Sequence, residues 1–298
     1  MDQIKLGVFS PSVVLDVARS SGRLTEAGVE VHDTPVASSP AQFTSLRDGE
    51  YDAVFTSPDN VLAYRFLPAN PLGELLDVEI LAGLDRGLGL CLAVRPGLVD
   101  VSKLAGGRFG VDVPTSGFAF VGYALLEELG VARADVEIIT LGSTPKRASV
   151  LQTGGCDATV LNAGNELAAQ AAGCALLADV TRLGPYLGTV VARLRDAPAA
   201  AAVDRMVAAL VDTARSISAG ELDSAATESA ARLLALDADG AARHLAVLRD
   251  PARGLIGDGS VDLAALGTLV GLRRRFLPAP ELEGLEDRFG ELVYSRTT

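Results

Sequence analysis

One stretch of this chain occurs twice. Ser39-Pro40-Ala41-Gln42, Leu46, Gly49-Glu50-Tyr51-Asp52-Ala53 and Ser57-Pro58-Asp59-Asn60 form the first copy. Thr144-Pro145-Lys146-Arg147, Leu151, Gly154-Gly155-Cys156-Asp157-Ala158 and Asn162-Ala163-Gly164-Asn165 answer it, every pair 105 residues apart. Upstream, Gly7-Val8 and Pro11-Ser12 parallel Gly110-Val111 and Pro114-Thr115, and Val29-Glu30-Val31 parallels Val136-Glu137-Ile138. A period this long exceeds a solenoid repeat and has the size of a domain. The chain is therefore expected to contain two copies of one unit.

Each copy reads strand, helix, strand, helix, strand. In the first, Ile4 to Phe9 is a strand, Ser12 to Ala18 opens a helix, and Val29 to Val31 is a second strand. Ser39 is expected to cap the next helix, with Pro40 at its first position and Gln42 completing a capping box. Asp52 to Phe55 is a short buried strand, and Ser57-Pro58 starts a further capped helix. In the second copy Arg108 to Val113 is a strand and Thr115-Ser116-Gly117 a helix start. That helix carries Phe118, Val121, Leu125 and Leu129 at helical spacing and ends at Gly130. Strands alternating with helices imply α/β architecture with parallel-rich sheets and helices on both faces. From Ala199 onward the sequence is Ala/Leu-rich and helical in period, and those helices are expected to pack on the first lobe. Leu277-Pro278-Ala279-Pro280 marks a loop before the last helix.

Composition narrows the partners. The chain has 298 residues and a formal charge of −12, so a nucleic-acid backbone is repelled. The basic run Arg273-Arg274-Arg275 reads as a solvated helix face. The longest apolar runs, such as Ala197 to Val203, fall far short of the roughly 20 residues of a membrane span. The three cysteines, Cys91, Cys156 and Cys174, lack metal-ligand spacing and read as buried thiols. Met1-Asp2-Gln3 leads straight into a strand without a secretory pattern. The expectation is a cytoplasmic protein if that start is native, and an extracytoplasmic mature form otherwise.

In open parallel sheets, ligands lie at the carboxyl ends of the strands, where helices begin. Those junctions are polar in both copies: Ser10-Pro11-Ser12, Ser38-Ser39, Thr56-Ser57-Pro58-Asp59-Asn60, Thr115-Ser116-Gly117, Ser143-Thr144 and Asn162. Helix N-termini offer free N–H groups and a positive dipole end, which suits carboxylate, phosphate or carbonyl oxygens. Each of these residues also serves as an ordinary cap. Leu81 to Gly89, with three glycines around Asp85 and Arg86, reads as a hinge with a polar contact at the cleft. Phe118 is a candidate for the cleft wall. The catalytic inventory is thin. His32 and His244 read as structural or surface residues, and no phosphate loop, nucleophile elbow or metal cluster appears.

Ser39-Pro40, Leu46, Gly49, Tyr51-Asp52-Ala53 and Ser57-Pro58, followed by Gly110-Val111-Asp112 and Thr115-Ser116-Gly117-Phe118, resemble a known family. It is the nitrate, sulfonate and thiamine-precursor group of type II solute-binding proteins of ABC transporters. Leu263 to Arg275 and Leu282 to Phe289 resemble that group's closing helices. The resemblance implies a two-lobed fold, with lobe 1 at residues 1–85 and 187–298 and lobe 2 at 86–186. It also implies a ligand held between the lobes by Ser10, Ser39, Ser57, Asp85, Thr115, Ser116 and Asn162. Asn60, Phe118 and Tyr186 complete the candidate ligand-binding set. No cofactor or metal is implied. The histidine and cysteines of the pyrimidine-synthase branch find no counterpart.

Three readings of function follow. The first is a monomeric binding protein that hands a small polar or anionic solute to an ABC permease. The second is a cytoplasmic enzyme, a lyase such as a dehydratase or decarboxylase of a small carboxylic acid, or an isomerase of one, using a Ser, Asp85 or Tyr186 as acid–base group. The third is a ligand-sensing regulatory domain.

Overall fold

Short apolar strands, each followed by a capped helix, dictate how the first repeat is built. The computed structural model describes residues 1–98 and 100–294. β1 (Asp2–Val8) runs parallel to β2 (Val29–Pro35) and to β3 (Ala53–Thr56), with Ile4 opposite Val31 and Leu6 opposite Ala53. β4 (Val78–Gly83) completes this sheet through β10 (Val190–Leu194), which is antiparallel to both β3 and β4. The second sheet contains β5 (Cys91–Val94), β6 (Arg108–Val111), β7 (Glu137–Thr140), β8 (Ala158–Leu161) and β9 (Ala175–Asp179).

Strand order is β2-β1-β3-β10-β4 in one sheet and β7-β6-β8-β5-β9 in the other. Both therefore place three parallel strands beside an antiparallel pair, and the two copies share one topology, as the repeat predicts. Each sheet is mixed. β10 joins the first sheet after the chain has completed the second, so the chain crosses between the sheets twice.

The first unit carries α1 (Val13–Ser20), α2 (Arg23–Glu26), α3 (Ser39–Arg47) and α4 (Pro58–Phe66). The second carries α5 (Gly117–Glu128), α6 (Thr144–Gln152) and α7 (Asn165–Ala171). The 105-residue offset holds through α3 and α6 and through β3 and β8. It then slips: α4 begins at Pro58, whereas α7 begins two residues late, behind Ala163 and Gly164 in left-handed conformations. The cap of α3 also differs from expectation. Ser38, not Ser39, accepts from Ala41 N at 3.4 Å, and Ser39 is the first, buried residue of the helix. Gln42 makes no capping box, because its amide points inward and donates to Gly7 O and Phe55 O.

Four long helices follow: α8 (Ala200–Ser218), α9 (Asp223–Leu233), α10 (Ala238–Leu248) and α11 (Leu263–Phe276), with short α12 (Phe289–Leu292) last. α8 covers the first sheet and α9 packs on α1. Expected on the first lobe, α11 packs on α4 there and also bridges to α5 of the second unit. The cause is aromatic: Phe276 stacks on Phe120 with centroids 6.1 Å apart and meets Tyr123 edge-on at 5.5 Å. One continuous apolar interior joins Val54 and Ile80 of the first sheet to Leu92, Phe109 and Val160 of the second. That leaves less freedom for the lobes to move apart than two separately closed cores would give.

Candidate functional site

The carboxyl ends of β1, β3 and β8 converge on a cavity of about 80 Å³. Its polar wall takes Ser10 and Ser12 from beyond β1, Thr56 and Ser57 from the end of β3, and Asn162 from beyond β8. Phe9, Phe55, Leu88, Phe118 and Leu255 form its apolar wall. A second chamber of about 20 Å³ shares Phe9, Ser57, Phe118 and Thr144 with the first and adds Asn60, Asp112, Ser116 and Arg147.

Ser57 sits where β3 turns into α4, and its Oγ accepts from Asp59 N at 3.3 Å. Asn60, one turn into α4, donates through Nδ2 to Thr56 Oγ1 at 3.0 Å. Asn162 occupies the position equivalent to Ser57 and lines the same cavity, and its Nδ2 donates to Gly87 O at 3.3 Å. Ser116 caps α5, accepting from Ala119 N at 3.1 Å while donating to the Asp112 carboxylate.

Asp85 is where the two interlobe crossings meet. Its Oδ1 accepts from Gly87 N at 2.7 Å and from Thr189 N at 3.2 Å, tying the outward segment to the returning one. Gly188 is required there, since a Cβ at that position would stand 2.2 Å from Asp85 Oδ1. Burial pushes the Asp85 carboxyl up to about 6. Asp85 thus makes a polar contact at the crossings, its carboxylate held by backbone amides.

Of the sequence-predicted residues, Ser10, Ser57, Asp85, Phe118 and Asn162 line the first chamber, and Ser57, Asn60, Ser116 and Phe118 line the second. Ser39, Thr115 and Tyr186 line neither. Ser39 is buried at the start of α3, and Thr115 is exposed with its carbonyl turned toward Arg273. Tyr186 is buried with its hydroxyl unpartnered, and that burial pushes its pKa well above the tyrosine norm.

His244 and Arg147 also line the cavity, although the sequence offers His244 only as a structural or surface residue and does not offer Arg147. His244 lines the first chamber with Nδ1 unpartnered, and burial lowers its pKa to about 4. It comes from α10, outside the repeat, so no periodicity announced it. Arg147 lines the second chamber, and its signal was available: the repeat sets it opposite the neutral Gln42. Among the described residues no His/Cys/Asp/Glu group is arranged to hold a metal ion, and no helix is long and apolar enough to cross a membrane.

Neither a protein-family model nor a curated protein matches this sequence. Solved structures do. The alkanesulfonate-binding protein SsuA from Xanthomonas axonopodis pv. citri, bound to MOPS, is 17% identical and superposes with a TM-score of 0.73, covering 94% of this chain and 95% of its own. The Candida albicans CA3427 gene product, described as having the generic periplasmic binding protein structural fold, is 14% identical with a TM-score of 0.73, covering 99% and 96%. This chain has the periplasmic-binding-protein fold. The fold also accommodates catalysis: the desulfurization enzyme DSZB matches at 18% identity and a TM-score of 0.61, over 97% of this chain and 100% of that one. In the periplasmic-binding-protein fold of this chain, the cavity lies between the two sheets at equivalent strand ends.

Proposed function

We propose that this protein binds a small organic solute between its two lobes, residues 1–85 with 187–298 and residues 86–186. One observation carries the reading: Ser57 and Asn162, at the equivalent strand ends of the two copies, line one cavity. A ligand there contacts both halves at once, so its binding energy favours the closed arrangement over any opened one. The neighbours named for alkanesulfonate binding and for the periplasmic fold support the same reading. Delivery to an ABC permease, by a monomer, is the role this proposal assigns.

Binding is favoured over lyase chemistry by what holds the candidate acid–base groups. Asp85 Oδ1 is already engaged by two backbone amides, and Tyr186 lies off the cavity. The test is a thermal-shift screen of the full chain against small carboxylates, sulfonates, amides and alcohols. A compound at about 100 times its Kd stabilises the protein by about 2.7 kcal/mol. Ser57→Ala and Asn162→Ala are each expected to weaken a hit by about 0.5–1.5 kcal/mol, the net value of one hydrogen bond. Hits that both variants bind as well as the parent would place the ligand elsewhere and overturn the proposal.

A further inference from the structure

We infer that Arg147 selects the charge of the ligand: the second chamber receives the single negative charge of a compact organic acid whose apolar body fills the first. This rests on the binding reading above and adds to it a chemical class, an orientation and a residue.

The internal repeat supplies the control. Gln42 and Arg147 are the fourth residues of the equivalent helices α3 and α6, and both are buried. Gln42 Nε2 donates to Phe55 O at 3.0 Å, and Arg147 Nη2 donates to Val160 O at 3.3 Å. Phe55 and Val160 are themselves 105 residues apart. Tying the helix to the end of its strand is thus accomplished in the first copy by a neutral amide. The positive charge in the second copy is surplus to that structural task.

Nothing among the described residues neutralises it at close range. Among the described residues three arginines are buried: Arg147, Arg193 and Arg273, at 2%, 3% and 5% exposure. Arg193 pairs with Glu79 and Asp204, and Arg273 pairs with Asp59. Arg147 donates only to neutral oxygens, Gly142 O at 2.6 Å, Thr144 Oγ1 at 3.0 Å and Val160 O, and its buried Nε donates to nothing. Burying a cation without a carboxylate is costly. Burial accordingly pulls its pKa below the ordinary arginine value, with Asp112 acting in the opposite direction. An anion in the chamber that Arg147 lines removes that cost on binding.

Asp112 sets the limit on charge. Its carboxylate lines the same chamber, accepts from the Ser116 hydroxyl and forms no ion pair with Arg147. A carboxylate or sulfonate is attracted by the guanidinium against that one negative neighbour, whereas for a doubly charged phosphate the cost of leaving water grows with the square of the charge while the attraction only doubles. The phenyl rings and leucines of the first chamber then suit an apolar body.

The experiment uses the full chain with benzoate, benzenesulfonate and butanesulfonate, the neutral benzamide and benzyl alcohol, and phenyl phosphate, read by thermal shift and calorimetry. The expected result is stabilisation by the monoanions, little by the neutral analogues and less by the phosphate. Arg147→Gln installs the residue that the first copy uses, so it is expected to fold and to lose about tenfold or more in affinity for the monoanions. Arg147→Lys keeps the charge without the full tie and should retain the preference for anions at weaker affinity. It decides the matter should the glutamine variant not fold.

Monoanions bound equally by Arg147→Gln and the parent, loss of the preference in Arg147→Lys, or tighter binding of the neutral or phosphate compounds would each overturn the assignment. The cleft reading would survive these results wherever Asn162→Ala still weakens binding. A parent that no compound in the set stabilises would remove both.

Discussion

Arg273 grips both carboxylate oxygens of Asp59, Nε to Oδ1 and Nη2 to Oδ2, each at 2.7 Å. The pair is buried between α4 and α11 and stands against the start of α5. Arg273 lies 5.2 Å over the Phe120 ring and reaches Thr115 O at 3.5 Å. A carboxylate of the chain itself is therefore packed at the helix start that the sequence offered as an anion site. A ligand anion approaches that turn from the Ser116 and Arg147 side instead.

Because the pair is buried, its halves are unequal in cost to its whole. Asp59→Asn is expected to destabilise by about 3–5 kcal/mol, since it leaves the Arg273 charge uncompensated. Asp59→Leu combined with Arg273→Met should lose far less than the two single changes together. Urea unfolding of the parent, Asp59→Asn, the two singles Asp59→Leu and Arg273→Met, and their double measures this, and additive losses in the double would show that the two side chains do not act as a unit.

Gly117 reports on the same apposition. An alanine in a helix is ordinarily about 1 kcal/mol better than glycine. Here a Cβ at Gly117 would lie 2.7 Å from Asp59 Cβ, so Gly117→Ala should reverse the sign and cost about 1–3 kcal/mol. Gly271, on α11 with nothing within 4 Å of its added Cβ, is the matched control and should gain stability as alanine. Melting curves of both variants decide the matter, and a stabilised Gly117→Ala would mean that the lobes do not meet at this point.

What the sequence disclosed was what repeats. Asp52 and Asp157 each accept from the first-strand amide of their unit, Lys5 N and Arg108 N, both at 2.8 Å, and their shared offset announced two equivalent units. β10 and β5 were harder to place. They are short apolar runs, and period-free runs cannot show whether a strand pairs parallel or antiparallel. Ser39 was mistaken for a cap because Ser38 carries the same hydroxyl one residue earlier. The cavity's polar rim was visible wherever it lay on a strand end. His244 was hidden because only tertiary packing brings α10 to that rim.

Glu166 supplies a pH test away from the cleft. It lies between Gly89 and two arginines, Arg243 on α10 and Arg253 beyond its end, with Oε2 accepting from Gly164 N at 2.9 Å and Oε1 unpartnered. Burial raises its carboxyl to about 8. The folded state therefore keeps a proton that the unfolded chain releases from about pH 4.5 upward. Its contribution is complete below pH 4.5 and should fall by about 1.4 kcal/mol per pH unit until about pH 8. Glu166→Gln should lack this decline, so the stability difference between parent and variant should shrink or reverse across that window in chemical denaturation. A pH-independent difference would show that Glu166 is ionised in the folded protein.

Asp85 and His244 line one cavity and bias stability in opposite directions. Burial lowers His244 to about 4 from 6.5, so the folded protein refuses a proton that the unfolded chain takes up as pH falls. Its contribution is present above pH 6.5 and is lost down to about pH 4. Asp85, raised to about 6 from 3.8, does the reverse: its contribution is present below pH 3.8 and is lost as pH rises through 6. Between pH 4 and 6 the two slopes, each about 1.4 kcal/mol per pH unit, oppose one another. Removing one should unmask the other. Relative to the parent, His244→Gln should become more stable as pH is lowered from 6 to 4, and Asp85→Asn should become more stable as pH is raised over the same interval. Guanidinium unfolding at half-unit steps would reveal the crossing. Two flat differences would mean that both groups titrate in the folded protein as they do in the unfolded chain, and that the cavity wall is wetter than its geometry indicates.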